Sequence, residues 1–334
     1  MNYSSRFYLY APFSLFVLFA LGTVIWWWLA ASSLDRRLDA INGHDIAPGV
    51  QVRFASREQT GFPFRLDTVF HNLCITVPGS HGAVFWQAEE FAIHQLIYDA
   101  DQWLIEAAGK QTVGWIDAEG RPRQVVFTPA SLHASTIVSD GHLSRFDVDI
   151  VGVSLPRVGA ARAQFHIRRD PDSDMLDVAM SGDDVRIRSP EPAPLGNRIL
   201  HFELDGRLNS ADLLAALLSG HSRWRDAAEH WRKDGVASVD RLALTWGKLS
   251  LSGSGALALD DQRRPKGLLD IRLANFGSLL GVIGASGQGF GPAIVNAAAG
   301  EAGRKGNALP VRIAFKDGIA YVGTVPATTL DPLY

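Results

Sequence analysis

The chain has 334 residues, a formal net charge of −3 and 20% charged side chains, with no block of like charge beyond short pairs. A nucleic-acid groove needs a basic stripe, and the sequence has none, so nucleic acid is not expected as a partner. The single cysteine, Cys74, rules out an intrachain disulfide and does not oppose an oxidising compartment.

Residues Phe7 to Ala31 contain no charged side chain, and the first charge of the chain, Arg6, stands immediately before them. A helix over that stretch, rising about 1.5 Å per residue, is roughly 37 Å long and can cross a hydrocarbon core of about 30 Å. A cleaved secretory signal is the main alternative, with Ala30-Ala31-Ser32 as its cleavage site, but signal peptides have apolar cores of only about 7–15 residues. Trp26, Trp27 and Trp28 also suit a helix whose last turn lies among lipid headgroups, where indole rings are favoured. The expected organisation is therefore an uncleaved transmembrane anchor over residues 1–33 and a mainly-β body over residues 34–334. Arg6 on one side nearly balances Arg36 and Arg37 on the other, so charge alone leaves the topology open.

Leu34 to Ile41 has a short helical pattern that continues or caps the anchor. From about Gly49 onward, period-two alternation places apolar side chains on one face of each strand. Leu242, Leu244 and Trp246 give the clearest case, followed by Leu249 and Leu251, then Leu257 and Leu259. The phase shifts at Gly247-Lys248, as a tight turn or bulge requires. Leu269, Ile271 and Leu273 follow the turn-like Arg263-Arg264-Pro265-Lys266-Gly267. Further strands are expected at Phe64–Phe70, Phe91–Tyr98, Val125–Thr128, Phe146–Leu155, Ala163–Ile167, Leu176–Met180, Ile199–Leu204 and Val311–Phe315. Short polar or Gly-containing links between them predict antiparallel meanders.

Two segments break the rhythm. Asn209 and Ser210 are placed to cap a helix before Asp212, with Leu213, Leu214, Leu217 and Leu218 as its apolar stripe and Trp224, Ala228 and Trp231 continuing it to Gly235. A second helix or helix pair is expected over Phe276–Ile283 and Pro292–Ala302, interrupted by glycines. The fold class is mainly β with some α: an N-terminal transmembrane helix, then a long curved antiparallel sheet with two helical segments packed on it.

Three stretches carry a family likeness: Gly61-Phe62-Pro63-Phe64-Arg65-Leu66; Trp246-Gly247-Lys248-Leu249 with Gly255-Ala256-Leu257-Ala258-Leu259-Asp260 and Arg264-Pro265-Lys266-Gly267; and Asp317-Gly318-Ile319-Ala320-Tyr321-Val322-Gly323-Thr324-Val325-Pro326, ending Leu330-Asp331-Pro332-Leu333. With the anchor, they resemble an uncharacterised Gram-negative bacterial family, known only as a domain of unknown function, over about residues 5 to 332. The last stretch is also similar, more distantly, to the closing strand of AsmA-like envelope proteins. That resemblance implies a body in the periplasm, held at the inner membrane through residues 7–31, with the N-terminus in the cytoplasm. The AsmA-like group is associated with lipid traffic through a grooved sheet with an apolar concave face. No catalytic residue comes with either likeness.

Physically, Pro63 biases Phe62 to an extended conformation that launches a strand. Asp317-Gly318 is the pairing of a tight hairpin turn, and Pro326 and Pro332 are expected to end sheet pairing and protect an edge.

Chemical motifs are weak. Asp170, Asp172 and Asp174 have the alternate spacing of a calcium loop, but Met175 and Ser181 stand where an EF-hand needs Gly and Glu, so a solvated turn is expected. Asp226 and His230 are spaced for a helix surface pair, and with His221 they lack the ligands of a zinc site. Gly287-Gln288-Gly289-Phe290-Gly291 is mis-spaced for a dinucleotide loop, and Ser286 has no nucleophile elbow. Cys74, in Leu73-Cys74-Ile75-Thr76-Val77, reads as a buried strand position. No catalytic, cofactor-binding or metal-ligating residue is expected, and no cofactor. The expected function is that of a non-enzymatic membrane-anchored envelope protein binding or conveying lipid. A scaffold for envelope proteins and a hydrolase of envelope polysaccharide or lipid are its rivals.

Overall fold

The structure, a computed structural model, describes residues 5–79, 81–188, 195–209, 224–275 and 308–334. The chain packs as two compact units, Met1–Gln124 and Val125–Tyr334.

The first unit opens with α1 (Ser5–Ile41), one unbroken helix with Pro12 inside it, so Leu34–Ile41 continues the apolar stretch as expected. It is long and apolar enough to cross a membrane, and Phe13, Phe16, Leu18 and Phe19 along it are exposed. Its C-terminal end is clamped to the body. Arg57 donates to Asp35 at 2.9 Å and to Asp39 at 2.6 Å, and Asn42 exchanges hydrogen bonds with both backbone groups of Phe54.

Five strands of this unit form an antiparallel sheet with β1 (Asp45–Ala47) at one side: β2 (Val50–Arg53), β3 (Ser56–Thr60), β4 (Arg65–Pro78), β5 (Ala83–Leu96) and β6 (Asp99–Ile116). β1 pairs with β2, while β2 and β3 pair with successive parts of β4, which continues to β5 and β6. Alternation buries Leu66, Thr68 and Phe70 on β4; the phase then changes to bury Leu73, across Asn72 with its φ of 53°. Phe54, Phe70, Phe91 and Trp86 form a chain of ring contacts 5.1 to 6.2 Å apart. The fully buried Gln111 accepts from Trp86 Nε1 and donates to Ala108 O, which offsets the cost of removing an amide from water. Alternation in the sequence did not predict β6, because a bulge at Gly109 (φ 69°) swaps its faces midway. Glu89 fills that bulge by accepting the Lys110 N–H at 2.8 Å.

After β7 (Pro122–Phe127), the second unit is a meander: β8 (Ser131–Ser139), β9 (His142–Ser154), β10 (Val158–Arg169), β11 (Met175–Ile187), β12 (Arg198–Asn209), β13 (Ala237–Trp246), β14 (Leu249–Leu259), β15 (Pro265–Ala274), β16 (Ala308–Lys316), β17 (Ile319–Val322) and β18 (Val325–Thr329). From β8 to β18 each strand pairs antiparallel with the next in the chain. The fold class is thus mainly antiparallel β, as expected, and every strand expected from alternation is present and longer at one or both ends, although Phe64, Ile97, Tyr98, Thr128 and Leu155 fall just outside their strands.

The helical expectations fare differently. Helix α2 (Trp224–Asp234) stops before Gly235 as expected and buries Ala227. The Leu213–Leu218 stripe and the segment 276–302 lie outside the described residues. Asn209 ends β12, and its side chain accepts from Val236 N and donates to Asp234 O just past the C-terminal end of α2, while the helix start expected at Ser210 to Asp212 lies outside the described residues. The turn expected at Arg263–Gly267 sits earlier. Asp260 collects the N–H groups of Gln262 and Arg264, and Pro265 already opens β15. Pro326 does not end pairing either, because a register shift lets β18 run on to Thr329 opposite Ile319.

Asp317 (φ 52°) and Gly318 (φ 75°) form the tight turn between β16 and β17 that their identity predicted. Gly318→Val should cost on the order of 1 kcal/mol or more, because a β-branched residue must then hold positive φ. Urea unfolding measures it, and a variant as stable as the parent would contradict the turn geometry. Asp140-Gly141 repeats the same device between β8 and β9, with φ of 53° and 75°.

Candidate functional site

Successive side chains on a strand point to opposite faces, so alternation over β8–β16, interrupted by register shifts in β8, β12 and β13, gives the second unit's sheet a mainly apolar and a mainly charged face. On the apolar face, register aligns Val148, Phe165, Met180, Leu204 and Leu242 across β9 to β13. A parallel row runs through Phe202, Leu244, Leu251, Leu273 and Leu309. The two ends of this face are packed unequally. Toward β14–β17, Leu249, Ile271, Leu273, Leu309, Val311 and Val322 make a buried cluster. Toward β9–β13, the row from Val148 to Leu242 is only half-buried.

The other face is a lattice of ion pairs. Asp147 accepts from Arg145 at 2.5 Å, from His166 at 2.7 Å and from Ser135 at 3.1 Å. Arg162 grips both oxygens of Asp149, at 2.8 and 3.0 Å. Arg207 pairs with Asp240 and Arg312 with Asp270. A shallow cleft of about 280 Å³ opens here between Asp147, His166, Asp177, Asp205, Arg207 and Asp240. Its chemistry is that of a solvated surface. Burial pushes the Asp147 carboxyl up, but the hydrogen bonds from His166, Arg145 and Ser135 outweigh it and hold the group below the usual carboxylate range. A carboxylate so held is ionised at neutral pH, whereas a general acid needs its pKa raised. The Ser135 hydroxyl is turned to Asp147 and not to His166, so the imidazole does not activate it.

His201 lies on this face with Nδ1 2.7 Å from Asp183, whose carboxylate raises the imidazole pKa above its ordinary 6.5. Its charged form is therefore favoured by folding. That contribution is complete below the unfolded value and is lost as pH rises through the higher folded one. The side chain is 43% exposed, so the effect on stability is small. NMR titration of His201 should give a midpoint above 6.5, moving down in Asp183→Asn; an unchanged midpoint in that variant would contradict the pairing.

The residues singled out in the sequence do not converge. Asp170, Asp172 and Asp174 fall in the turn between β10 and β11, where Asp170 accepts from Asp172 N and Ser173 Oγ. Asp226 and His230 form no ion pair among the described contacts. Glu229 instead takes the pairing role on α2, with Arg232 and Arg263. Cys74 is on β4 as expected but half-buried, not buried, with Sγ 4.0 Å from Thr76 Oγ1. His221 and residues 286–291 lie outside the described residues. What sequence reasoning missed is the charged face as a unit. Its signal was the polar half of each alternating strand, such as Asp147 and Asp149 between Phe146, Val148 and Ile150.

A family model described as an uncharacterized protein conserved in bacteria, DUF2125, matches residues 27–330. The chain belongs to this family. The match takes in the end of α1 together with both units, so DUF2125 covers the helix–body junction as well as the two-faced sheet. No curated protein and no solved structure matches the chain, and the distant AsmA-like similarity finds no support there.

Proposed function

We propose that this DUF2125 member is a non-enzymatic protein of the bacterial envelope. Residues 7–31 hold it in the inner membrane, its β body lies in the periplasm, and the apolar face of β9–β13 receives lipid acyl chains. The half-buried apolar row from Val148 to Leu242 carries this reading. Leaving such a surface in water costs about 25 cal/mol per Å², and extended apolar patches on folded proteins mark sites that bind something apolar. The length and exposure of α1 support the membrane part. The ionised, mutually paired carboxylates of the opposite face suit a side kept in water.

The test is native mass spectrometry of the full chain after gentle detergent extraction, joined to crosslinking with a phospholipid bearing a photoreactive acyl chain. Co-purifying phospholipid is expected, with crosslinks on β9–β13 peptides as well as on α1. Crosslinks confined to α1 would reduce the lipid to the annulus around the anchor and overturn the binding face. Capture of a protein at β9–β13 would favour the scaffold reading.

A further inference from the structure

Trp27 lies inside the apolar stretch of α1, ahead of its first following charge at Asp35; at about 1.5 Å per residue that separation is roughly 12 Å along the helix. At this level α1 touches the body. Trp27 Nε1 donates to Arg65 O at 2.9 Å, and its ring meets the Phe62 ring edge-on at 5.7 Å. The turn preceding β4, which contains the cis Phe62-Pro63 bond, is thus fixed beside the tryptophans. The β5–β6 turn is fixed to it in turn, because Ile97 N donates to Phe64 O at 3.1 Å. Yet the large apolar side chains of both turns are turned outward: Phe62 is 52% exposed, Phe64 59% and Tyr98 68%, alongside Trp26 at 50% and Trp28 at 61%.

We propose that Phe62, Phe64 and Tyr98 form a second membrane-contacting element. They sit in the interfacial layer of the same bilayer that α1 enters, so that the first unit rests on lipid and does not swing on a tether. Two features of the junction favour lipid as the occupant. The turn is attached within the apolar stretch of the helix, so a bilayer that covers Phe7–Trp27, about 30 Å of helix, ends at the height of these side chains. Aromatic rings with one apolar and one polar end are the residues that settle at that depth, as Tyr98 does with its hydroxyl.

This inference rests on the membrane reading of α1, and its test separates the two. In a Cys74→Ala background, Trp28→Cys, Phe64→Cys, Tyr98→Cys and Ala118→Cys, one at a time, carry a bimane label in the full chain, reconstituted into phosphatidylglycerol/phosphatidylethanolamine vesicles. Position 118 serves as the aqueous control: it lies past the far end of the 18-residue β6, about 60 Å from Tyr98 at roughly 3.3 Å per residue. Labels at 64 and 98 should lose emission to shallow doxyl-lipid as the label at 28 does, while 118 is quenched only by iodide. If 28 is quenched by lipid but 64 and 98 only by iodide, or by neither, the aromatic contact is overturned and the anchor stands. If 28 itself escapes lipid quenching, the anchor falls and the contact falls with it.

Discussion

Leu18→Arg combined with Val24→Arg should move the full-length protein out of the membrane pellet after alkaline carbonate washing, or prevent its accumulation, where the parent stays with the pellet. Both side chains are exposed along α1. Each arginine near the middle of a spanning helix opposes insertion by about 2.5–3.5 kcal/mol, so the pair opposes it by roughly 5–7 kcal/mol. At about 1.4 kcal/mol per tenfold, that is on the order of four powers of ten in the insertion equilibrium. The clamp from Arg57 to Asp35 and Asp39 lies beyond the substituted turns, so the β body should keep its circular-dichroism spectrum. A double variant that remains carbonate-resistant would show that α1 is not what holds the protein in the membrane.

Leu273→Ala should destabilise the second unit by about 2–5 kcal/mol, read as a lower urea midpoint in detergent. Leu273 is 4% exposed and lies between Leu251 on β14 and Leu309 on β16, with Ile271 and Val311 beside it in the same cluster. Deleting its branched end leaves a void that rigid neighbouring strands can close only in part. Leu268, on the other face of the same strand and 49% exposed, is the internal control. Leu268→Ala should stay within about 0.5 kcal/mol of the parent. Equal losses at the two positions would mean that the faces have been assigned wrongly.

The contrast between these leucines also explains what could be read from the chain. A period of two is unambiguous wherever one side of a strand meets apolar neighbours and the other meets water, so β9, β13, β14 and β15 were legible from residue identity. The Asp317-Gly318 turn was legible too, because few residues accept its backbone angles. β6 was hidden because Gly109 inserts a residue and reverses the phase, and such a reversal in sequence looks like the absence of a pattern. The contacts of Asn209 with the far side of α2 were not legible, because an Asx side chain can satisfy backbone groups distant along the chain. Here it serves Asp234 and Val236 across the fold, a pairing local spacing does not encode. The aromatic junction had the weakest signal. Trp27 and Phe62 are each unremarkable in sequence, and only the turn between β3 and β4, lying against α1, brings them together.

The unbroken neighbour-to-neighbour succession from β8 to β18 bears on how the polypeptide is made. Because each ladder joins segments adjacent along the chain, closing it confines a short loop whose entropic cost grows only slowly with length. Low sequence separation between partners goes with rapid folding. A chain emerging N-terminus first from a ribosome or a translocation pore can therefore zip each new strand onto the last and need not await its final residues. Two intervals in this run, from Asn209 to Ala237 and from Ala274 to Ala308, must be spanned before the next partner arrives.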